Sequence, residues 1–373
     1  METTIDQKDL KTQEYFVNMG PQHPSTHGVL RLVLGLDGEI LTKVEPHIGY
    51  IHRSIEKMCE HDNYRQIVHL TDRMDYLSSH MNNEAVSLLV ENALEIEVSD
   101  RVKVIRTLFS ELTRLSSHQL WWGVMGMDLG ALTAFLYGFR DREMINDIFE
   151  ETCGARLTMN YNVPGGVMFD LHPNFQKRVK DFIKHFKPKL KEYDQLLSNN
   201  VIFRERTVGV GHISKEDAIS FGLTGPSARG SGVSCDVRKH QPYSAYDRVE
   251  FNEILVDDGD SFGRYRARIL EMWEYLSIIE QLIDNIPEGD LLAPTKALIK
   301  LPKGEFYQRV ETARGELGVY AVSEGGKSPY RMKFRSPNFS NLFALEHMAK
   351  GSKIADLVAM MSTIDIVVPD IDR

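Results

Sequence analysis

Two histidines in a short polar loop are the residues of this chain with the clearest capacity for chemistry. His23 and His27 lie in the stretch Gly20-Pro-Gln-His-Pro-Ser-Thr-His-Gly28. Two imidazoles four residues apart on a helix can share a metal ion, but Pro24 follows His23 directly and disfavours an uninterrupted helix. The loop alone therefore leaves two interpretations open: a reactive site, or two hydrogen-bonded histidines without chemistry.

A β-hairpin is predicted to hold this loop in place. Leucines alternate from Leu30 to Leu36, and Asp37-Gly38 then turns the chain into a second strand from Glu39 to Val44. An Asp-Gly pair between alternating apolar residues is a strong hairpin signal. The histidine loop is thus expected to be attached to rigid backbone.

Two further stretches carry candidate residues whose types also fit a purely structural role. Arg73 and Tyr76 lie in a mixed stretch over residues 70–80, where charged side chains are more often caps and ion-pair partners than catalysts. Asp128 lies between Gly126 and Gly130. We expect it to be the N-cap of a helix; alternatively, a carboxylate there can orient a histidine and stabilise its charged form.

Periodic apolar positions predict a helix-rich fold. A long helix is expected to begin after Ser99 and to break at Gly123, and a second helix to follow over residues 125–149. Other helices are predicted over 54–64, 82–94, 174–197, 269–283 and 343–361, with a strand over 315–323. The apolar tail from residue 364 is expected to pack back on the fold.

These elements predict an α-rich α+β fold around a helical bundle. We divide it into three parts. Residues 1–60 form an N-terminal β-rich part with the histidine loop, residues 61–300 form the helical bundle, and residues 301–373 form a C-terminal strand and helix that pack on the bundle.

Composition and net charge exclude several classes of protein and of partner. The 373 residues are 42% hydrophobic and 26% charged, which is typical of a soluble globular protein, and the net charge of -9 disfavours nucleic acid as a main partner. No apolar run is long enough to span a bilayer, and the first residues lack signal-peptide character, so we expect a bacterial-type cytoplasmic location. Cys59, Cys153 and Cys235 are isolated, which argues against a disulfide framework or a cysteine metal cage.

A series of motifs, in order along nearly the whole chain, resembles the D subunit of the respiratory NADH:quinone oxidoreductase (complex I). The motifs are Gly20-Pro-Gln-His-Pro-Ser-Thr-His-Gly-Val-Leu-Arg31, His52-Arg53-x-x-Glu56-Lys57, Asp72-Arg-Met-Asp-Tyr76, Gly126-Met-Asp-Leu-Gly130, Gly154-Ala-Arg156, Pro164-Gly-Gly166, Arg229-Gly-Ser-Gly232 and Gln241-Pro-Tyr243. This family is in turn similar to the large subunit of nickel–iron hydrogenases, and the resemblance implies the fold of that protein.

The similarity to hydrogenases can be tested on metal ligands. Those enzymes hold nickel and iron through an N-terminal and a C-terminal cysteine pattern, and the corresponding stretches here are Arg73–Tyr76 and Asp365–Val368. Neither stretch contains a cysteine, and such a metal pair requires thiolates. The resemblance therefore implies that this chain binds no metal. The cavity that holds the metals in hydrogenases would here bind a quinone headgroup.

The resemblance also assigns roles to individual residues. His27 and Tyr76 would hydrogen-bond the two carbonyl oxygens of the quinone, Asp128 would pair with His27, and His23 would contribute to quinone binding. Two donors that can release protons suit this chemistry, because two-electron reduction places negative charge on two opposed oxygens.

Electrons would arrive from neighbouring proteins of the complex. By resemblance, Arg73 would lie near the terminal iron–sulfur cluster of the B subunit, with electrons passing from NADH through FMN and iron–sulfur clusters in partner chains while this chain binds no cofactor. Many relatives carry a histidine, thought to tie the potential of that cluster to pH, where this chain has Thr158. The other implied partners are the C and I subunits and the membrane-embedded H subunit, in a proton-translocating complex peripheral to the cytoplasmic side of a bacterial inner membrane.

Two other functions compete with this one. A non-catalytic scaffold protein of the same complex would use the histidine loop only to brace its neighbours, and the combination of His27, Tyr76 and Asp128 speaks against it. A hydrogenase-related protein is disfavoured by the missing cysteines.

Overall fold

The computed structural model describes residues 14–26 and 28–373, so His27 lies outside the described part of the chain. The first half contains β1 Tyr15–Met19, β2 Arg31–Asp37, β3 Ile40–His47, α1 Ile55–Cys59, α2 Tyr64–Thr71, α3 Ser79–Leu94, α4 Asp100–Asp128, α5 Leu132–Cys153, β4 Asn162–Val163, β5 Gly166–Val167 and α6 Phe175–Ser198. The second half contains α7 Val201–Glu205, α8 Lys215–Ser220, α9 Gly225–Arg229, α10 Val237–His240, α11 Ser261–Ile283, β6 Gly304–Thr312, β7 Gly315–Ser323, β8 Arg331–Arg335, α12 Pro337–Phe343, α13 Leu345–Ala349, α14 Ile354–Ile364 and α15 Val368–Asp372.

The N-terminal strands form an antiparallel sheet in the order β1-β2-β3. Asp37 pairs with Ile40 across the turn, and Gly38 there has a φ of 61°, a left-handed conformation that glycine adopts without strain. Leu30, Leu32 and Leu34 are fully buried. The predicted hairpin is therefore confirmed, and its apolar face points into the core.

Helix α4 lies at the centre of the bundle, in contact with α3, α5 and α11. The predicted N-cap is confirmed, because the Ser99 hydroxyl accepts a hydrogen bond from the Val102 N–H at 3.2 Å. The predicted break at Gly123 is wrong, since α4 continues to Asp128. A Cβ on Gly123 would lie 3.2 Å from Cα of Phe135, so the glycine lets α5 approach closely instead of ending the helix.

Two other predicted helices are each divided in the structure. The helix predicted over 54–64 ends early as the short α1, and a separate helix, α2, begins at Tyr64 after Asn63, whose side chain caps it. The segment 343–361 contains α13 and α14, which are separated at Gly351, where φ is +83°. The helices predicted over 82–94, 174–197 and 269–283 correspond to α3, α6 and α11, and the strand over 315–323 is β7.

Two clusters of buried apolar side chains form the core. The larger one fills the bundle and reaches the β6-β7-β8 sheet, and the smaller one joins the leucines of β2 to α14 and the C-terminal tail. Val368 and Ile371 in the tail are 0% and 3% exposed, which confirms that it packs back. The fold is thus helix-rich with small antiparallel sheets; its hydrogenase-like character and the division at residues 60 and 300 stay predictions. Within the described residues, no helix combines the length and apolar character needed to cross a membrane.

A network of ion pairs is enclosed between α4, α9, α10, α11 and β6. Its charged members, all buried, are three arginines and four carboxylates: Arg114, Arg229, Arg238, Glu111, Asp236, Glu271 and Glu311. The Arg229 guanidinium lies 2.7 Å from Glu271 and 2.8 Å from Glu311. Burial raises the pKa of Glu311 although Arg229 opposes the shift. The network therefore depends on its guanidinium groups, which are fewer than the carboxylates.

Replacement of Arg229 by methionine is expected to lower the free energy of unfolding by about 3–5 kcal/mol, because Glu271 and Glu311 would stay buried without their shared cation. Urea denaturation of the purified chain measures this. The control is Arg266→Met, which removes a partly exposed pair with Asp194 and should cost less than about 1 kcal/mol. An equal decrease in the free energy of unfolding for the two variants would contradict the dependence of the buried network on Arg229.

Candidate functional site

The histidine loop is held by its own hydrogen bonds. Residues Pro24–Thr26 form a single 3₁₀ turn. The buried Thr26 hydroxyl lies 2.7 Å from the His23 carbonyl oxygen and 2.9 Å from that of Gly28, and so joins the two ends of the loop. The Ser25 N–H donates to Nδ1 of His23 at 3.2 Å. The His23 side chain is exposed, and its ring is oriented by this backbone contact.

The residues on either side of His27 place the loop against the C-terminal segment, residues 354–373, which contains α14 and α15. The 3₁₀ turn packs against α14. A Cβ on Gly28 would meet a Val368 methyl group at 3.3 Å, and Gly28 has a φ of +134°, which disfavours any other residue. The loop that carries His27 is therefore fixed between α14 and the start of α15.

Asp128 is held by the same segment. It is the last residue of α4, so the expected N-cap role is wrong; the helix that follows begins at Leu132. Its Oδ2 accepts a hydrogen bond from the Ser362 hydroxyl on α14, and the Ser362 carbonyl oxygen in turn accepts from Nε1 of Trp121 at 2.8 Å. The predicted pairing of Asp128 with His27 involves a residue outside the described part and stays a prediction.

Tyr76 begins a short 3₁₀ turn, Tyr76–Ser78, that packs against α4. The turn is capped by Asp75, whose carboxylate accepts from the Leu77 N–H at 3.2 Å. The Tyr76 side chain is 38% exposed, and partial burial raises the pKa of its hydroxyl, while the charge of Arg314 opposes the shift. Tyr76 is thus a protonated hydrogen-bond donor at neutral pH with one open face.

A fully buried guanidinium joins the Tyr76 turn to the C-terminal segment. Nη1 of Arg314 lies 3.3 Å from Asp75 Oδ2 and 2.8 Å from the Ser117 hydroxyl, and Nη2 lies 3.0 Å from Asp365 Oδ1. Asp365 follows α14 with a φ of 59°. The stretches Arg73–Tyr76 and Asp365–Val368, which the resemblance matches to metal-binding patterns, are therefore joined by the Arg314 cation. Among the described residues, no group of three or more histidine, cysteine or acidic side chains is arranged to hold a metal ion.

Comparison with known proteins gives the family. Residues 128–299 and 294–373 match the family described as respiratory-chain NADH dehydrogenase, 49 Kd subunit. The C/D subunit of NADH-quinone oxidoreductase from Bacteroides thetaiotaomicron is 54% identical over 99% of this chain and 70% of its own length. The D subunit of NADH-quinone oxidoreductase from Geobacter sulfurreducens is 47% identical over 97% of this chain and 99% of its own length. The chain belongs to the 49 kDa subunit family.

Arg73 was predicted to lie near an iron–sulfur cluster of a partner chain. Its side chain is exposed at the surface. Its Nη1 donates to the His69 carbonyl oxygen at 2.8 Å, and its own carbonyl oxygen accepts from Arg53 Nη2 at 2.5 Å. Thr158 is also exposed, and the preceding Leu157 carbonyl oxygen accepts from the Ser79 hydroxyl at 2.6 Å, close after the Tyr76 turn. The surface with Arg73 and Thr158 therefore adjoins Tyr76, while its contact with a cluster stays a prediction.

Two buried arginines near the Tyr76 turn were missed by sequence reasoning. Arg314 comes from the turn between β6 and β7, and Arg142 comes from α5, where it donates to the Ser116 hydroxyl at 3.0 Å. Neither lies in a motif that marks chemistry, and both are held by contacts distant in sequence. Only the alternating apolar pattern of β7 hinted that the turn before it is held in the core.

Asp72 is a buried carboxyl group four residues before Tyr76. It is 2% exposed, and its Oδ1 has no hydrogen-bond partner among the described residues. Burial raises the pKa of Asp72 from 3.8 to about 7, although the Asn83 side chain favours the charged form. The C-terminal end of α2, four residues before Tyr76, therefore carries a buried carboxyl group that is partly protonated near neutral pH.

Stability should depend on this proton. Because the folded-state pKa of Asp72 is raised, its contribution is fully present below its unfolded pKa of 3.8 and is lost as pH rises through about 7. The total loss is about 4 kcal/mol at about 1.4 kcal/mol per pKa unit. Asp72→Asn is expected to lack this decrease between pH 4 and pH 7.5 in urea denaturation, whereas the exposed control Asp247→Asn should keep it. An Asp72→Asn variant with the wild-type pH dependence would contradict the assigned shift.

Proposed function

We propose that this chain forms the quinone-headgroup site of an NADH-quinone oxidoreductase. Its family makes it a subunit of the complex I oxidoreductase. The observation that carries the proposal is the convergence of three candidate elements on one segment. The histidine loop contacts Val368, Asp128 contacts Ser362, and the Tyr76 turn is tied to Asp365 through Arg314.

The chemistry of these groups fits quinone reduction. A quinone takes up two electrons and two protons to become a hydroquinone, and negative charge develops on its two opposed oxygens. In the proposal, the Tyr76 hydroxyl donates to one oxygen and His27 to the other, with His23 beside the headgroup. Asp128 supports the positive form of His27, since a nearby carboxylate favours a protonated imidazole.

The electrons come, in this proposal, from an iron–sulfur cluster of the B subunit near Arg73, supplied from NADH by FMN and further clusters in partner chains. The chain itself holds no cofactor. The C and I subunits and the membrane-embedded H subunit complete its surroundings, and the complex translocates protons. The chain is peripheral, on the cytoplasmic side of the bacterial inner membrane. The names of the relatives support membership of the complex, and the detailed placement is our inference.

A scaffold role is the main competing function. The buried contacts of Arg314 would be needed in either case, but a scaffold does not require a tyrosine hydroxyl on an exposed turn. Variants that keep packing and remove one donor therefore separate the two functions.

Tyr76→Phe keeps the ring and deletes the donor. A lost hydrogen bond to a developing charge costs about 2–4 kcal/mol in the transition state, so quinone reduction should fall roughly tenfold to several hundredfold. Electron entry from NADH lies upstream and should persist, as measured with ferricyanide. The measurement is the ratio of quinone to ferricyanide activity in membranes with equal amounts of assembled complex.

The matched control is Tyr330→Phe, since Tyr330 is 66% exposed and lies away from the candidate site on the β7–β8 connection. Its activity ratio should equal that of the wild type. An unchanged ratio for Tyr76→Phe would remove Tyr76 from the site and favour the scaffold function.

Asp128→Asn removes a charge and keeps an oxygen that can accept from Ser362. We expect a smaller decrease in quinone reduction than for Tyr76→Phe, because His27 stays in place and only its orientation and charge are weakened. Ser362→Ala, which keeps the charge and removes the hydrogen bond, should be milder still. If Ser362→Ala lowers the quinone-to-ferricyanide activity ratio more than Asp128→Asn, the role proposed for the charge of Asp128 is wrong.

A further inference from the structure

Arg142 is a buried cation without a counter-ion in direct contact among the described residues. Its side chain is 9% exposed, and Nε donates to the Ser116 hydroxyl at 3.0 Å. The two terminal nitrogens make no hydrogen bond or ion pair with any residue that the structure describes. Neither terminal nitrogen is among the enclosed polar atoms that lack a partner, so the end of the guanidinium stays accessible. A guanidinium left open in this way is suited to bind an anion.

The neighbouring charged groups already have partners. Glu143 follows Arg142 directly, but one of its carboxylate oxygens accepts from Arg156 and the other accepts from Asn146 at 2.9 Å. Arg156 is further paired with Asp147 at 2.9 Å. Glu143 therefore does not neutralise Arg142 through a direct contact.

The location of Arg142 connects it to the candidate quinone site. Ser116, which holds Arg142, is followed on α4 by Ser117, which accepts from Arg314 at 2.8 Å. Arg314 pairs with Asp75, the residue before Tyr76, and the Tyr76 turn packs on the same helix. Burial raises the pKa of Tyr76, and the charge of Arg142, like that of Arg314, opposes this rise, in agreement with this arrangement.

We propose that the open guanidinium of Arg142 binds the oxygen that becomes negative when the quinone bound at Tyr76 is reduced. The inference rests on the proposed function and adds a residue to that site. Tyr76 would donate a hydrogen bond and a proton to this oxygen, while Arg142 would stabilise its charge before the proton is transferred. A neutral donor and a cation near the same oxygen together stabilise a developing negative charge.

The first experiment uses the assembled complex in membranes. Arg142→Gln should lower quinone reduction at least tenfold relative to ferricyanide reduction, and Arg142→Lys should restore part of it, because the lysine keeps the charge and loses the planar fork. The control is Arg178→Gln, which removes an exposed arginine paired with Glu151 on α5 and should leave the ratio unchanged.

The second experiment probes anion binding directly. The anionic 2-hydroxy-1,4-naphthoquinone and its neutral 2-methoxy ether are compared as inhibitors of quinone reduction. Arg142→Gln should weaken inhibition by the anion at least tenfold and change inhibition by the ether less than threefold. A purely structural role of Arg142 would affect both compounds alike.

The outcomes separate the possible results. If Arg142→Gln reduces the amount of assembled complex but leaves the activity ratio and both inhibition constants unchanged, an acidic residue of a partner chain pairs with Arg142 and the inference is wrong. Equal weakening of both inhibitors also overturns it. If Tyr76→Phe reduces the ratio while Arg142→Gln does not, this inference alone fails; if neither changes it, the proposed function fails as well.

Discussion

The ion pairs of Arg314 are the interaction on which the geometry of the candidate site depends. The guanidinium is fully buried, so it has lost its hydration and gains stability only through protein partners. Its two terminal nitrogens are each aimed at a different carboxylate, Asp75 and Asp365, which belong to segments far apart in the sequence. A rigid planar fork fixes both distances at once, which a lysine ammonium would not do. Arg314 therefore ties the Tyr76 turn directly to the C-terminal segment.

The C-terminal segment then acts as a common support. Its apolar side is buried with the leucines of β2, while its polar groups hold the other elements of the site. Asp372 accepts from the backbone N–H groups of Gly49 and Ile51 at 2.7 and 2.8 Å, which fixes the chain after the hairpin. Arg268 donates to the carbonyl oxygens of Thr363 and Ile364 at the end of α14, where a cation also complements the helix dipole.

Local patterns in the sequence were sufficient where the interaction is local. The alternating leucines and Asp37-Gly38 predicted the first hairpin, and Ser99 predicted the start of α4, because turn and cap hydrogen bonds join near neighbours. The predicted break at Gly123 failed for a tertiary reason: the glycine accommodates α5, a contact that no helix propensity contains. The site was predicted only in part for the same reason. Tyr76 and Asp128 were named through a family resemblance, whereas their supports Arg314 and Ser362 were not, because contacts between distant segments leave no local pattern.

The charges around Tyr76 fit proton donation better than metal binding. Burial raises the pKa of Tyr76, which keeps the hydroxyl protonated but makes release of its proton costly. The positive charges of Arg314 and Arg142 act in the opposite direction and stabilise the state after the proton has left. A nickel–iron pair requires thiolates, whereas the side chains at this place are carboxylates, Asp75 and Asp365, that pair with Arg314. The pairing of Asp75 and Asp365 with Arg314 therefore keeps a positive charge beside the Tyr76 turn, where it favours the deprotonated form of the tyrosine.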